Sequence, residues 1–371
     1  GVRRWMGSPY AAAPCGEHRL RHPQPQPGGT EVRDATEPGP TVPKAPYRQP
    51  FDQLLVEPHI DGDECLNLNI WAPPDGAGHP VLFWIHGGAY VNGSGIVPHY
   101  DGTSFARDGV VCVTINYRLG AEGFLDTGDD HTNNGLCDQI ALSPATAQRI
   151  AGEFARRLDI EPDRDALAGV DVAELTALTA AVRIEMALNP NPALRGEAAQ
   201  HGMATEPVVD GDVLPAVPIE SIRAGAGRGV DVLIGSNRNE FNFFTVPIDT
   251  DLAVTEPMLQ ASIAAYGYDP ASIDVLGAGA DRPGEVLNRL VTQWYFWIPS
   301  IRLAEAVTRN GGTAHLYEFA WRSPVFDGRM GAGHTWRCRS CSTRSASRPT
   351  RCSGRTRRSR SPRRCTAPGS A

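Results

Sequence analysis

Apolar runs and alternating segments along the chain predict an α/β fold. Val81–Ile85 and Val110–Ile115 are nearly continuous apolar runs, typical of strands that are buried on both faces of a parallel sheet. Cys65–Trp71 alternates apolar and polar residues and predicts a further strand. Later strands are predicted at Val230–Ile234 and Thr313–Phe319. Together these segments indicate a mostly parallel sheet with helices on both faces.

Helix signals lie between and after these strands. Ser143 followed by Pro144 is typical of a helix start, because serine caps the first turn and proline fits its first position. The predicted helices cover 143–158, 172–188 and 300–307. Residues 1–60 are rich in Pro and Gly and predict extended coil. No internal repeat is visible.

Composition and charge limit the class of protein. The 371 residues are 41% hydrophobic, which allows a sizeable core in one large or two ordinary domains. The residues before 335 hold 24 of the 35 basic side chains and all 42 acidic ones, so they do not favour nucleic acid as a partner. No apolar run is long enough to predict a membrane span. No secretory signal is visible, so we expect a cytoplasmic rather than a secreted protein, with the compartment itself left open.

The turn after the first apolar run predicts acyl-transfer chemistry. The run 81–85 leads into His86-Gly87-Gly88-Ala89. In α/β-hydrolases, backbone N–H groups in such a loop form half of an oxyanion hole. Gly88 and Ala89 are therefore the candidate donors. The alternative is a plain Gly-Gly turn, but the buried strand before it and the glycine-containing loop after it favour the functional interpretation.

Several sequence blocks resemble the type B carboxylesterases, the family that includes bacterial p-nitrobenzyl esterases and the cholinesterases. The resemblance lies, in the family's order, in Asp63–Trp71, Asn116–Gly120, Gly123–Leu125 and Asn134–Gln139. They are similar to the blocks E-D-C-L-x-L-N-[IV], N-Y-R-L-G, G-F-L and N-x-G-L-x-D-Q, with the first two acids of the first block exchanged. The resemblance implies an α/β-hydrolase fold and a serine carboxylesterase. Such an enzyme hydrolyses small-molecule carboxylic esters through an acyl-enzyme, with no metal and no cofactor.

The resemblance also implies an acid and a base for a catalytic triad. Residues 234–241 are similar to the family's I-G-[ST]-N-R-D-E loop, which makes Glu240 the candidate acid. Residues 331–334 are similar to its G-A-x-H loop, which makes His334 the candidate base. Taken alone, each would more simply be a solvated surface residue. The cluster Trp294-Tyr295-Phe296-Trp297, and Trp294 and Trp297 within it, are candidates for a substrate pocket, although aromatic residues bunched on a helix are equally typical of core packing.

The serine nucleophile of this family is missing from the sequence. No Gly-x-Ser-x-Gly occurs, and after Gln139 the chain passes almost directly to a block at 143–147 that resembles family sequence well beyond the nucleophile elbow. The nearest imitation, Gly102–Ala106, precedes a strand, whereas an elbow follows one. We therefore expect an incomplete fold without the nucleophile strand and elbow, open edges on that strand's two neighbours, and negligible esterase activity. A non-catalytic binding module is the alternative.

The Arg-rich segment 335–371 has three interpretations. Its 11 arginines and lack of acidic residues are compatible with a nucleic-acid-binding arm, and Cys338 and Cys341 have the C-x-x-C spacing of a zinc site. No second metal-ligand pair lies nearby. A shifted reading frame explains more of this segment's composition. Codons that encode Trp336–Arg339 can encode Leu-Glu-Val-Pro when they are read from one base earlier. That peptide is similar to the family's sequence after its histidine. We therefore expect a hydrolase domain over 1–334 and a disordered, out-of-frame tail over 335–371.

Overall fold

The computed structural model describes residues 1–335 apart from 25, 27, 29–31, 76–77, 129–132, 136–155, 162, 189–190, 196–197, 199–201, 212 and 270. The described residues form two compact units, of which the first is Gly1–Pro218 and the second begins at Ile219. The predicted helix start at Ser143 and the Arg-rich segment beyond Thr335 lie outside the described residues.

The first unit contains a mixed four-stranded sheet. Its strands are β1 (Arg3–Pro9), β2 (Asn67–Ala72), β3 (Val81–Ile85) and β4 (Val111–Ile115), in the order β1-β2-β4-β3. β2 runs antiparallel to both β1 and β4, whereas β3 and β4 pair in parallel, so the described sheet of this unit is mixed. The coil prediction for residues 1–60 is wrong at β1. A bulge between Trp5 and Ser8 breaks the alternation by which a strand is recognised.

Short helices and one long helix complete the first unit. They are α1 (Phe51–Leu54), α2 (Thr103–Arg107), α3 (Gly120–Phe124), α4 (Arg164–Ala168), α5 (Val172–Leu188) and α6 (Pro192–Arg195). The bounds of α5 confirm the helix predicted from the sequence pattern. Leu175, Val182 and Met186 on α5 are buried against Leu167 of α4 and Leu125, and this cluster forms the unit's largest core. Burial of such side chains stabilises the fold by about 1.5–3 kcal/mol each.

The second unit has two parallel strands and a set of helices. β5 (Val232–Asn237) pairs with β6 (Ala314–Phe319), close to the predicted positions of both strands. The helices are α7 (Pro218–Arg223), α8 (Asn242–Thr245), α9 (Glu256–Ala265), α10 (Ser272–Leu276), α11 (Pro283–Thr292) and α12 (Ile298–Arg309), with a π-helical turn at Gln293–Trp297 between the last two. Leu259, Ile263 and Leu290 form the core between α9 and α11. None of the described helices is both long and apolar enough to cross a membrane.

Strand β3 has an exposed face, although its apolar run predicts burial on both faces. Val81, Phe83 and Ile85 are 64%, 53% and 44% exposed, and among the described strands β3 pairs only with β4. Leu233 on β5 is likewise exposed, which corrects the prediction of a buried strand there. A strand's burial depends on the elements packed against it.

Candidate functional site

The loop after β3 has a backbone path that requires glycine at position 88. Gly88, Ala89 and Tyr90 all have positive φ, at 138°, 52° and 61°. A side chain on Gly88 would overlap the carbonyl oxygen of Asn92. The amides of Val91 and Asn92 donate hydrogen bonds to the Gly88 carbonyl oxygen at 3.1 and 3.0 Å, which closes the turn. Positive φ at the two non-glycine residues stores strain of about 1–3 kcal/mol each, and such strain is concentrated at functional sites.

The two candidate oxyanion donors are adjacent on this loop. Within the described residues, neither the Gly88 nor the Ala89 amide donates a hydrogen bond to a protein acceptor. Ala89 is exposed and Gly88 is half-buried. Consecutive free amides on a tight turn suit an oxyanion, since each contributes a fixed partial positive charge. Their role as an oxyanion hole remains a prediction.

A buried histidine stabilises this loop. His86 is buried, and its ring stacks on that of Tyr117 with centroids 4.4 Å apart. The Tyr117 hydroxyl donates to the His86 carbonyl oxygen at 2.9 Å. Burial lowers the pKa of His86 from its usual 6.5 to about 4, so the ring is neutral at pH 7. The Glu57 carboxylate accepts from the Gly93 amide at 3.1 Å and anchors the far end of the loop.

In the second unit, the structure brings Glu240 and His334 together. Glu240 follows β5 and is buried, and its Oε2 lies 2.8 Å from Nδ1 of His334. Its Oε1 accepts a hydrogen bond from the Asn237 amide at 2.7 Å. Because a carboxylate only accepts, the neutral imidazole carries its proton on Nδ1 and its lone pair on Nε2. This is the arrangement of an acid that orients a base.

Two asparagines connect the loop that carries Glu240 to the loop that carries His334. The Asn237 side chain donates to Glu240 Oε2 at 3.3 Å and to the Gly333 carbonyl oxygen at 2.7 Å. Asn239 exchanges two hydrogen bonds with Ala332, each of 3.1 Å. The sequence reasoning did not single out these asparagines as site residues. The sequence signal for them was their position on either side of Arg238, shortly after a predicted strand.

Phenylalanines surround the imidazole. The ring centroids of Phe244, Phe296 and Phe243 lie 5.4, 5.5 and 6.1 Å from that of His334. The sequence places Phe296 in the aromatic cluster predicted to line a substrate pocket, whereas Phe243 and Phe244, which closely follow the candidate acid, were not predicted.

The two tryptophans of the sequence analysis lie on the π-helical turn that also carries Phe296. Trp294 packs against Tyr266 and Tyr268, with centroid distances of 5.5 and 6.0 Å. Trp297 is half-buried. Of this turn, it is Phe296 that contacts the imidazole, so the substrate-binding role of Trp294 and Trp297 stays a prediction.

The remaining candidates for chemistry are Ser104 and the pair Cys338 and Cys341. Ser104, the serine of the nearest elbow imitation, lies within α2, which precedes β4 rather than following a strand. Among the described residues, no cluster of three or more His, Cys, Asp or Glu side chains has the arrangement of a metal site. Cys338 and Cys341 lie outside the described residues.

Comparison with known proteins gives consistent matches over most of the chain. The profile of the carboxylesterase family matches residues 1–143. The chain is 31% identical to the phenmedipham hydrolase of Pseudarthrobacter oxydans, covering 90% of this chain and 78% of that protein. It is 28% identical to the para-nitrobenzyl esterase of Bacillus subtilis strain 168, covering 86% and 75%. The crystal structure of a Geobacillus stearothermophilus carboxylesterase at pH 6.2 superposes with a TM-score of 0.74 at 28% identity, covering 92% of this chain and 80% of that one.

The alignment with the phenmedipham hydrolase also bears on the missing segment. It spans 392 positions, more than the 371 residues of this chain. The alignment therefore needs gaps in this chain, where the relative has residues that this chain lacks.

Proposed function

Because the chain belongs to the carboxylesterase family and has the α/β-hydrolase fold, we propose that its site is a serine carboxylesterase site without its nucleophile. The observation that carries this proposal is the hydrogen bond of 2.8 Å between Glu240 and His334. These residues lie 94 positions apart, and both occupy the loops where the family's acid and base are expected. The reaction from which the site derives is hydrolysis of a small-molecule carboxylic ester.

In the proposed scheme each group has one task. His334 is the general base, and Glu240 fixes its ring and offsets the positive charge that the ring gains on taking a proton. Gly88 and Ala89 are assigned the oxyanion of the tetrahedral intermediate by the family resemblance of their loop alone. Trp294 and Trp297 are assigned to the substrate pocket only by their sequence position. The scheme requires neither a metal nor a cofactor.

The scheme lacks the group that attacks the ester. No Gly-x-Ser-x-Gly occurs in the 371 residues, and the alignment gaps agree with loss of an internal segment. Removing the nucleophile of a serine hydrolase lowers kcat by about 10⁶, and a residual rate of about 10³–10⁴ over water persists only where the site still forms. We therefore assign this chain negligible esterase activity through an acyl-serine.

The same proposal covers the organisation of the chain. Residues 1–334 represent the hydrolase, and residues 335–371 are an out-of-frame segment whose Arg and Cys side chains have no task in it. Sequencing the gene across codons 139–143 and 334–336 tests both parts. An intact frame with no shifted carboxylesterase sequence downstream would contradict the frame assignment.

A direct assay tests the assigned activity. Purified protein and the Bacillus subtilis para-nitrobenzyl esterase would be compared at equal concentration on p-nitrophenyl acetate. We expect the turnover of this chain to be lower by at least about 10³-fold, since no serine is activated. Turnover within tenfold of the relative would overturn the proposal.

A further inference from the structure

The imidazole of His334 is held on one side and open on the other. Its Nδ1 is bonded to Glu240, whose carboxylate is nearly inaccessible, while the His334 side chain is 39% exposed. Within the described residues, Nε2 has no hydrogen-bond partner. The lone pair on Nε2 is therefore neither shared with the protein nor shut away from small molecules.

Two phenylalanines pack close to the imidazole. Phe244 and Phe296 lie within 5.5 Å of the imidazole, centroid to centroid, and Phe244 is itself partly exposed. Such spacing is typical of aromatic contacts. An uncharged aryl ester has a flat apolar group that can pack here, with its carbonyl carbon beside the ring nitrogen.

We infer that His334 is itself a nucleophile toward activated aryl esters in this chain. The inference rests on the proposed function in one respect: no serine uses this imidazole as its base. A histidine held by a carboxylate can form a covalent acyl intermediate in its own right. This residual reaction is far slower than that of an intact relative, which keeps it compatible with the negligible activity assigned above.

The reaction balances with water as the only other reactant. The Nε2 lone pair attacks the carbonyl carbon, a C–N bond forms, and the C–O bond to the leaving group breaks with its electron pair on the phenolate. The ring becomes an acyl-imidazolium whose Nδ1 proton stays hydrogen-bonded to Glu240. Water then adds to the acyl carbon, the C–N bond breaks, and the carboxylic acid and one proton leave. The imidazole returns to its neutral form.

Glu240 contributes because the ring gains positive charge in the first step. Its carboxylate is fixed by Asn237 before the reaction, so stabilising the imidazolium needs no reorganisation. A second pair of a histidine and a carboxylate lies in the same chain. Nε2 of His59 lies 3.0 Å from Asp61, but both side chains are largely exposed and water screens the pair. We expect the acyl intermediate at His334 and not at His59.

Initial rates on p-nitrophenyl acetate test the inference. The unaltered chain, H334Q and the control H315A would be compared, each with and without a serine-directed phosphonate; His315 is an exposed histidine on β6. We expect the chain to exceed free imidazole at the same concentration by at least about tenfold, because the ring is pre-oriented. H334Q should fall to the free-imidazole rate. H315A and phosphonate treatment should leave the rate unchanged.

Acid quenching during turnover gives a second readout that needs no variant. Peptide mass spectrometry of the quenched, unaltered chain should place the acetyl group on the peptide that contains His334. A rate no higher than that of free imidazole, an H334Q rate equal to that of the unaltered chain, or an unmodified His334 peptide would overturn this inference and leave the proposed function standing. An acetylated serine and loss of rate with the phosphonate would instead overturn the proposed function.

Discussion

The side-chain amide of Asn237 lies 2.7 Å from the carbonyl oxygen of Gly333, so the end of β5 is tied to the residue before His334. The same amide also reaches the Glu240 carboxylate. One buried side chain thus sets the distance between the two loops on which the acid–base pair depends.

Asn237→Ala should loosen the His334 loop. The substitution removes the side-chain donor to the Gly333 carbonyl and leaves Glu240 Oε2 with His334 alone, at a cost of about 1–3 kcal/mol. Hydrogen-exchange mass spectrometry should show faster exchange across residues 328–335. Ser236→Ala is the matched control, since Ser236 is buried on the same strand and its hydroxyl makes no hydrogen bond within the described residues. Equal exchange in the two variants would contradict the positioning role of Asn237.

Gly88→Ala should disrupt the loop after β3. Gly88 has φ of 138°, and the added methyl group would overlap the Asn92 carbonyl, so we expect destabilisation of about 2–4 kcal/mol. Gly87→Ala offers a neighbouring control, because a Cβ at Gly87 meets no atom within 4 Å. Urea unfolding followed by tryptophan fluorescence would measure the difference. If Gly87→Ala costs as much as Gly88→Ala, the loop does not have this shape.

His86 should make the protein acid-sensitive. Its folded-state pKa is depressed from 6.5 to about 4, so the unfolded chain takes up a proton first as the pH falls. The stabilisation is complete above pH 6.5 and is lost as the pH falls to about 4, with a total of about 3 kcal/mol. The free energy of unfolding, measured by urea titration at several pH values, should fall less steeply over this range in His86→Asn. An unchanged slope would show that His86 is not buried as a neutral ring.

The exposed face of β3 should drive self-association. Val81, Phe83 and Ile85 point to one face of an uncharged strand that, among the described strands, has a partner on one edge only. Phe83→Lys places a charge on that face, so we expect a larger monomer fraction by sedimentation velocity. Val275→Lys on α10, where Val275 is 78% exposed, should leave the distribution unchanged. A similar shift in both variants would indicate a general charge effect.

Local sequence signals were sufficient to predict individual helices and strands. The predicted helix at 172–188 matches α5, because its start is capped by Asp171, whose side chain accepts from the Ala173 amide at 2.9 Å. Strands β3 and β4 were likewise recognised from nearly continuous apolar runs of five and six residues. β1 was missed because its bulge hides the alternation, and the exposure of β3 could not be read from β3 itself. Burial depends on what packs against a strand, and that information lies elsewhere in the chain.

The site was predictable only as far as the resemblance reached. It gave Glu240 and His334, whose hydrogen bond spans 94 positions that no local pattern connects. Asn237 was not predicted as part of the site, because it acts through a partner that folding brings near. Asn237 meets Gly333 across 96 positions, and the strand pattern that ends at Asn237 does not reveal that contact.

The mass of the intact protein after incubation with a serine-directed fluorophosphonate tests the central claim most directly. This chain should gain no adduct, while the Bacillus subtilis para-nitrobenzyl esterase in a parallel reaction should gain one per chain. One stoichiometric adduct on a serine of this chain would contradict the account, because it would demonstrate an activated hydroxyl that neither the sequence nor the described residues provide.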